Sequence, residues 1–173
     1  TRINYIVHLP NTSKLTIQNK YGHIYVGDHI GELNIDLSNG DFKAHYLSGQ
    51  TYLKVSFGDL YINKLEHALL ETTNTEAEIG ECVYLETNTK TSKLRIEEIK
   101  ELHMNSAHDK YYIGSFNQLT GLSRYSFIKI QKLNTNIDLN QKFGSLHFRN
   151  LDAHLEKFNL TTYKTDVHLS LTF

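Results

Sequence analysis

A short motif recurs through this chain at nearly constant intervals. It reads Gly22-His23-Ile24-Tyr25-Val26, then Gly40-Asp41-Phe42-Lys43-Ala44, Gly58-Asp59-Leu60-Tyr61-Ile62 and Gly144-Ser145-Leu146-His147-Phe148. Looser copies run from Thr75 to Ile79, Ser92 to Ile96, Asp109 to Ile113, Ser126 to Ile130 and Thr165 to Leu169. The first eight copies start 17 or 18 residues apart. A period this short, held over about nine copies, means a solenoid. One copy cannot bury its own apolar face, whereas stacked copies share a continuous core.

The alternation inside each copy says what kind of solenoid. With the first residue as position zero, position two holds Ile24, Phe42, Leu60, Ala77, Leu94, Tyr111, Ile128, Leu146 and Val167. Position four holds Val26, Ala44, Ile62, Ile79, Ile96, Ile113, Ile130, Phe148 and Leu169. Period-two alternation is a strand signal that puts both columns on one face. A third apolar column follows at Ile30, Leu47, Leu65, Cys82, Ile99, Phe116, Leu133 and Leu151. A fourth, more loosely spaced, runs through Leu15, Leu33, Leu53, Leu69, Leu85, Leu102, Leu119, Ile137 and Leu155. Gly27, Gly80, Gly114 and Asn63 sit in the polar turn after position four and suit a bend.

These columns predict an all-β, single-domain parallel β-helix over residues 1–173, with about nine short coils of 17–18 residues. Coils paired at ~4.8 Å would stack into a rod of roughly 40 Å. Residues 1–14 read as a lead-in strand or cap, because Tyr5, Val7 and Leu9 alternate with polar residues before a turn at Pro10–Ser13; the repeats fill 15–173. The crossover preference of parallel strands argues for a right-handed coil. A left-handed hexapeptide β-helix needs a small aliphatic residue every six positions; Ile24 and Ile30 fit, but Asp36 does not. The leucine-asparagine scaffold of a leucine-rich repeat is missing too.

Composition narrows the function. The 173 residues carry a formal net charge of -1 with both signs interspersed, unlike the basic face of a nucleic-acid binder. No apolar run is long enough to cross a membrane as a helix. Cys82 is the only cysteine, so no intrachain disulfide forms. The chain opens on Thr1 rather than methionine, which reads as a processed or trimmed product, with any signal peptide lying outside it.

The segment Ile17-Gln18-Asn19-Lys20-Tyr21-Gly22-His23-Ile24-Tyr25-Val26, followed by repeated Gly-Asp-Leu/Phe units, resembles the adhesin families of Gram-negative cell envelopes, including auto-transporter adhesin head domains. The resemblance covers nearly the whole chain from Leu15. It implies a right-handed β-solenoid that is secreted, periplasmic or surface-exposed, non-enzymatic, and brings no catalytic residues to transfer.

Two outward columns hold the candidate site residues. At position one, Asp41, Asp59 and Glu76 stack as an acidic column. Like charges about 4 Å apart repel by about 1 kcal/mol in water. Oxygen clusters of this kind hold calcium, and β-helix enzymes that act on polysaccharides place acids on such a face. Lys93 and Lys110 continue the same column and Lys43 lies nearby, so a solvated charged face accounts for it without a metal or cofactor. At position three run Tyr25, Lys43, Tyr61, Glu78, Arg95, Tyr112, Lys129, His147 and His168. Tyr25, Tyr61 and Tyr112 are candidates for stacking on sugar rings. The same column also makes sense as a ladder, with aromatic next to cation and Glu78 next to Arg95. The ten histidines form no His-x-His or His-x-x-x-His pair, Cys82 reads as core filler, and no Gly-x-Ser-x-Gly occurs.

The expected function is therefore a non-catalytic adhesin or structural solenoid of the cell envelope, whose partner is a surface glycan or an envelope protein. The rival is a carbohydrate-active enzyme, a polysaccharide lyase or glycoside hydrolase, working on the face of Asp41, Asp59 and Glu76. A third reading is an assembly module that self-associates end to end or edge to edge, since Leu169–Phe173 ends the chain without a polar cap.

Overall fold

The computed structural model describes residues 5–170. Every strand pairing in it is parallel, and no helix occurs among the described residues. The strand segments are β1 (Leu15–Lys20), β2 (Ile24–Val26), β3 (Leu33–Ser38), β4 (Phe42–Lys90), β5 (Lys93–Ala107), β6 (Lys110–Leu151) and β7 (Lys157–Leu169). The sheet runs β1-β3-β4-β5-β6-β7, with β2 also on β4. β4 alone has 49 residues, which would reach about 160 Å if straight. It is instead wound: pairing with the coil above and below continues round the corners, so the solenoid of about nine coils is a parallel β-helix.

The sequence period is the pairing register. Partners lie 18 residues apart in the first coils, as in Leu15↔Leu33 and Leu33↔Thr51. They lie 17 apart in the middle, as in Glu76↔Lys93 and Lys93↔Lys110, and 21 apart at Gly144↔Thr165. Part of that last, longer interval is a turn around Asp152, where Leu155 N–H donates to Asp152 O at 3.2 Å.

One corner carries a left-handed residue in every coil. Tyr21, Asn39, Phe57, Asn74, Thr91, His108, Tyr125, Phe143 and Lys164 each have φ between 47° and 60°. Each stands one residue before position zero. A left-handed conformation costs a non-glycine residue about 1–2 kcal/mol. The repayment is visible in the hydrogen bonds: Tyr21, Asn39, Thr91 and His108 still donate their N–H to the next coil at 2.9–3.0 Å. The corner turns without breaking the ladder.

Positions two and four are inward as expected. Ile79 is buried between Ile62 and Ile96 in the column, while Glu78 beside it is exposed. The other two apolar columns need correction. In the first coil Ile30 is 53% exposed, and His29, 4% exposed, takes the inward place opposite Leu47. Ile30 N and Gly31 N both donate to Asn11 O, at 2.8 and 3.0 Å, and this cap contact pulls the backbone one residue out of the expected phase. The loosely spaced fourth column is two columns. Leu33 pairs with Thr51, whereas Leu53 pairs with Ile35. Ala68 is buried and Leu69 only half so; in the last coil Phe158, not Leu155, pairs with Ile137. Leucine is frequent enough that a neighbouring leucine mimics the true rung. Residues 5–10 form no strand and are exposed, so the alternation of Tyr5, Val7 and Leu9 is not realised as sheet pairing; residues 1–4 lie outside the described residues.

Candidate functional site

The acidic column exists, with His23 at one end and Lys93 at the other. His23 Nδ1 lies 3.0 Å from Asp41 Oδ2, and Asp41 Oδ1 accepts the backbone N–H of Asp59 at 3.3 Å. Glu76 is paired with Lys93 on the next coil, and Lys93 is followed by Lys110. Asp41, Asp59 and Glu76 therefore share one straight column instead of facing each other across a cleft. Among the described residues no three His, Cys, Asp or Glu side chains gather closely enough to hold a metal ion.

The position-three column is a pairing ladder. Tyr25 stands opposite Lys43, Glu78 Oε1 lies 3.7 Å from Arg95 Nε, and Arg95 lies over the Tyr112 ring at 5.7 Å. The His147 and His168 rings stack at 4.4 Å. Burial, the His168 charge and the Lys129 charge hold the His147 pKa below the usual imidazole value. Of the three candidate tyrosines, Tyr112 thus already has a cation on its ring; Tyr25 and Tyr61 are exposed, with no ring partner among the described residues.

A second aromatic ladder runs along the left-handed corner. His108 and Tyr125 stack at 4.8 Å, Tyr125 and Phe143 at 4.6 Å, both nearly coplanar. Tyr125, between the other two, therefore has a ring on each face. Nothing in the residue types before position zero announces this ladder, because the left-handed turn that aligns them has no glycine.

The most polar cluster is inside the coil. Asp109 is buried and its carboxylate is fully engaged. Oδ1 accepts Ser92 N–H at 2.7 Å; Oδ2 accepts the Thr89 and Ser106 hydroxyls, each at 2.7 Å, and Ala107 N–H at 2.9 Å. Tyr111 OH lies 2.8 Å from Thr89 Oγ1 and 3.1 Å from Thr87 Oγ1, and its burial raises its pKa. Asp109 N–H in turn donates to Ser126 Oγ at 3.1 Å. Four donors converge on this one buried carboxylate, three of them on Oδ2. This cluster holds coils together. Its sequence signal was legible: Thr72/Thr75, Thr89/Ser92, Ser106/Asp109 and Ser123/Ser126 repeat small polar pairs three apart, coil after coil. Cys82 is buried as well, and burial pushes its thiol up to about 12, which keeps it from acting as a nucleophile.

On the outer face of the first coils a groove of about 250 Å³ lies along the ladder. Gln18, Asp36, Tyr52, Lys54, Leu69 and Glu71 line it. A second, wider hollow of about 400 Å³ lies beside Lys64, Glu81, Glu98 and Lys100, where Lys64 is bridged to Glu81 at 3.2 Å. At the far end, Val167 and Leu169 occupy inward positions but are 39% and 47% exposed, since β7 pairs on one side only among the described residues.

No helix among the described residues is long and apolar enough to cross a membrane. Comparison of the chain with protein-family models, curated proteins and solved structures gives no match in any of the three.

Proposed function

We propose that this solenoid is a non-catalytic binding protein of the cell envelope, an adhesin-like rod that presents flat sheet faces to a glycan or an envelope protein. The observation that carries this reading is the straight column of Asp41, Asp59 and Glu76, held by His23 and Lys93 at its two ends. Hydrolysis of a glycosidic bond needs two carboxyl groups on opposite sides of the bond. Carboxylates in one column lie on the same side of any bound chain. Most coils are also even in length, so no long loop walls a cleft over this face. The Gly-Asp-aliphatic repeats and their resemblance to envelope adhesins support the placement outside the cytoplasm.

The test pairs binding with turnover. On a glycan array and against isolated envelope fractions, the chain is expected to bind without releasing reducing sugar or unsaturated product. Turnover that disappears in Asp59→Asn would overturn the reading and leave the carbohydrate-active enzyme in its place.

A further inference from the structure

Charged side chains on adjacent coils pair almost wherever the ladder offers them. Glu76 meets Lys93, Glu78 meets Arg95, Lys64 meets Glu81, and Lys157 meets Asp138. The groove on the first coils is an exception. Asp36 and Lys54 occupy adjacent rungs, and Glu71 follows one coil later, three residues before its left-handed corner residue as Asp36 and Lys54 are before theirs. None of the three side chains makes a hydrogen bond or ion pair to the protein among the described residues. The Gln18 side chain, on the rung before Asp36, has no protein partner among them either. Four polar side chains therefore stand around one hollow without a partner from the protein.

The floor between them is apolar. Leu69 is half-buried, and Tyr52 is 40% exposed. Other ladder tyrosines have their ring faces occupied: Tyr46 by Lys64, Tyr112 by Arg95, Tyr125 by His108 and Phe143. Among the described residues Tyr52 has neither a ring nor a cation against it. Tyr25 and Tyr61 share that freedom; Tyr52 lines the groove.

From this combination we infer that the groove is a binding site for a single neutral pyranose ring at the end or branch of a glycan. A pyranose has an apolar C–H face that packs on an aromatic ring, and equatorial hydroxyls that both donate and accept. Asp36 and Glu71 accept such hydroxyls, Lys54 donates to them, and Gln18 does both. The charges fit a neutral ligand better than an ionic one: two carboxylates flank one ammonium, so an anionic sugar meets repulsion and a cation competes with Lys54. A volume of about 250 Å³ gives the groove room for one ring, with the rest of a glycan extending into solvent. This inference rests on the glycan-binding form of the function proposed above and moves its site from Tyr25, Tyr61 and Tyr112 to Tyr52.

The experiment is titration of the isotope-labelled chain with the methyl glycosides of glucose, galactose, mannose and N-acetylglucosamine, followed by amide chemical shifts. At least one of the four is expected to shift amides of Gln18, Asp36, Tyr52, Lys54, Leu69 and Glu71 together. Tyr52→Ala, an outward substitution, is expected to weaken that binding roughly tenfold or more with the thermal midpoint unchanged. Asp36→Asn, which keeps the ring and the fold, is expected to weaken it several-fold. Tyr61→Ala is expected to leave it as it is. Shifts centred on Tyr25 and Tyr61, lost in Tyr61→Ala, would sink the groove while leaving the glycan-binding solenoid standing. No response from any of the four sugars also defeats the inference. Array or envelope binding without that response leaves the broader proposal intact, and loss of both defeats the two together. Binding of an extended peptide in the groove in place of a sugar overturns it as well.

Discussion

The same corner of the coil is solved in two ways. At Gly22, Gly40 and Gly58 there is no side chain, and the backbones of successive coils close up. A Cβ built on Gly40 would overlap the carbonyl oxygen of Gly22, and one on Gly58 the carbonyl oxygen of Gly40. At Thr75, Ser92, Asp109 and Ser126 the corner is rotated so that the side chain points inward, and all four are buried. There the hydroxyl or carboxylate of one coil accepts the N–H of the coil before: Thr75 to Ser92 at 3.3 Å, Ser92 to Asp109 at 2.7 Å, Asp109 to Ser126 at 3.1 Å. The interior follows the change. The neighbouring column is Leu37 and Val55 in the glycine coils, then Thr72, Thr89, Ser106 and Ser123. A corner with no side chain tolerates an oily neighbour; a corner with a buried polar side chain requires hydroxyls beside it. The two halves are different packings under one period.

The largest effect is expected from Asp109→Ala, which strips the partner from two hydroxyls and two backbone N–H groups at once. Chemical denaturation should show a loss of about 3–5 kcal/mol. A loss below 1 kcal/mol would mean that the polar ladder does not stabilise the middle coils and that the comparison fails. Next comes Gly58→Ala, which forces coil backbones apart in the other half and is expected to cost about 1–3 kcal/mol. Tolerance at Gly58 would show that the glycine corner can rotate into the inward form, making the two halves one. Ser92→Ala removes one link of the polar ladder and is expected to cost about 1–2 kcal/mol, less than Asp109→Ala because one N–H and one hydroxyl lose a partner.

The smallest effect concerns the last coil. His147 has its pKa lowered in the fold, chiefly by burial and then by His168 and Lys129, with Asp166 opposing. A depressed folded pKa gives stability that is present above the unfolded value and lost as pH falls through the folded one. Hydrogen-exchange protection in β7, corrected for intrinsic rate, is therefore expected to decline below about pH 6.5, with β4 unaffected. His168→Gln should flatten that dependence; equal loss in β4 would show a global origin.

The period, the parallel pairing and the inward columns at positions two and four were readable from the residues, because a strand's alternation and a coil's repeat both leave a trace in residue type. The acidic column and the Tyr25–Lys43 and Glu78–Arg95 neighbours were readable for the same reason: equal spacing from position zero puts side chains in line. The phase of the looser columns was not. Leu53, Leu69 and Leu155 resemble a rung, and which of two adjacent residues points inward depends on the corner before it. Those corners turn at Tyr21, Phe57, Thr91 or Lys164, residue types that carry no sign of a left-handed backbone. Stacking decides it, because the corners at Tyr21, Asn39, Thr91 and His108 are held by hydrogen bonds to a residue 16 or 17 positions further along. The groove beside Tyr52 has the same origin. Its lining comes from four coils, and whether Lys54 reaches Asp36 or leaves a hollow is settled by side-chain packing in three dimensions. The alternation that marked the coils says nothing about it.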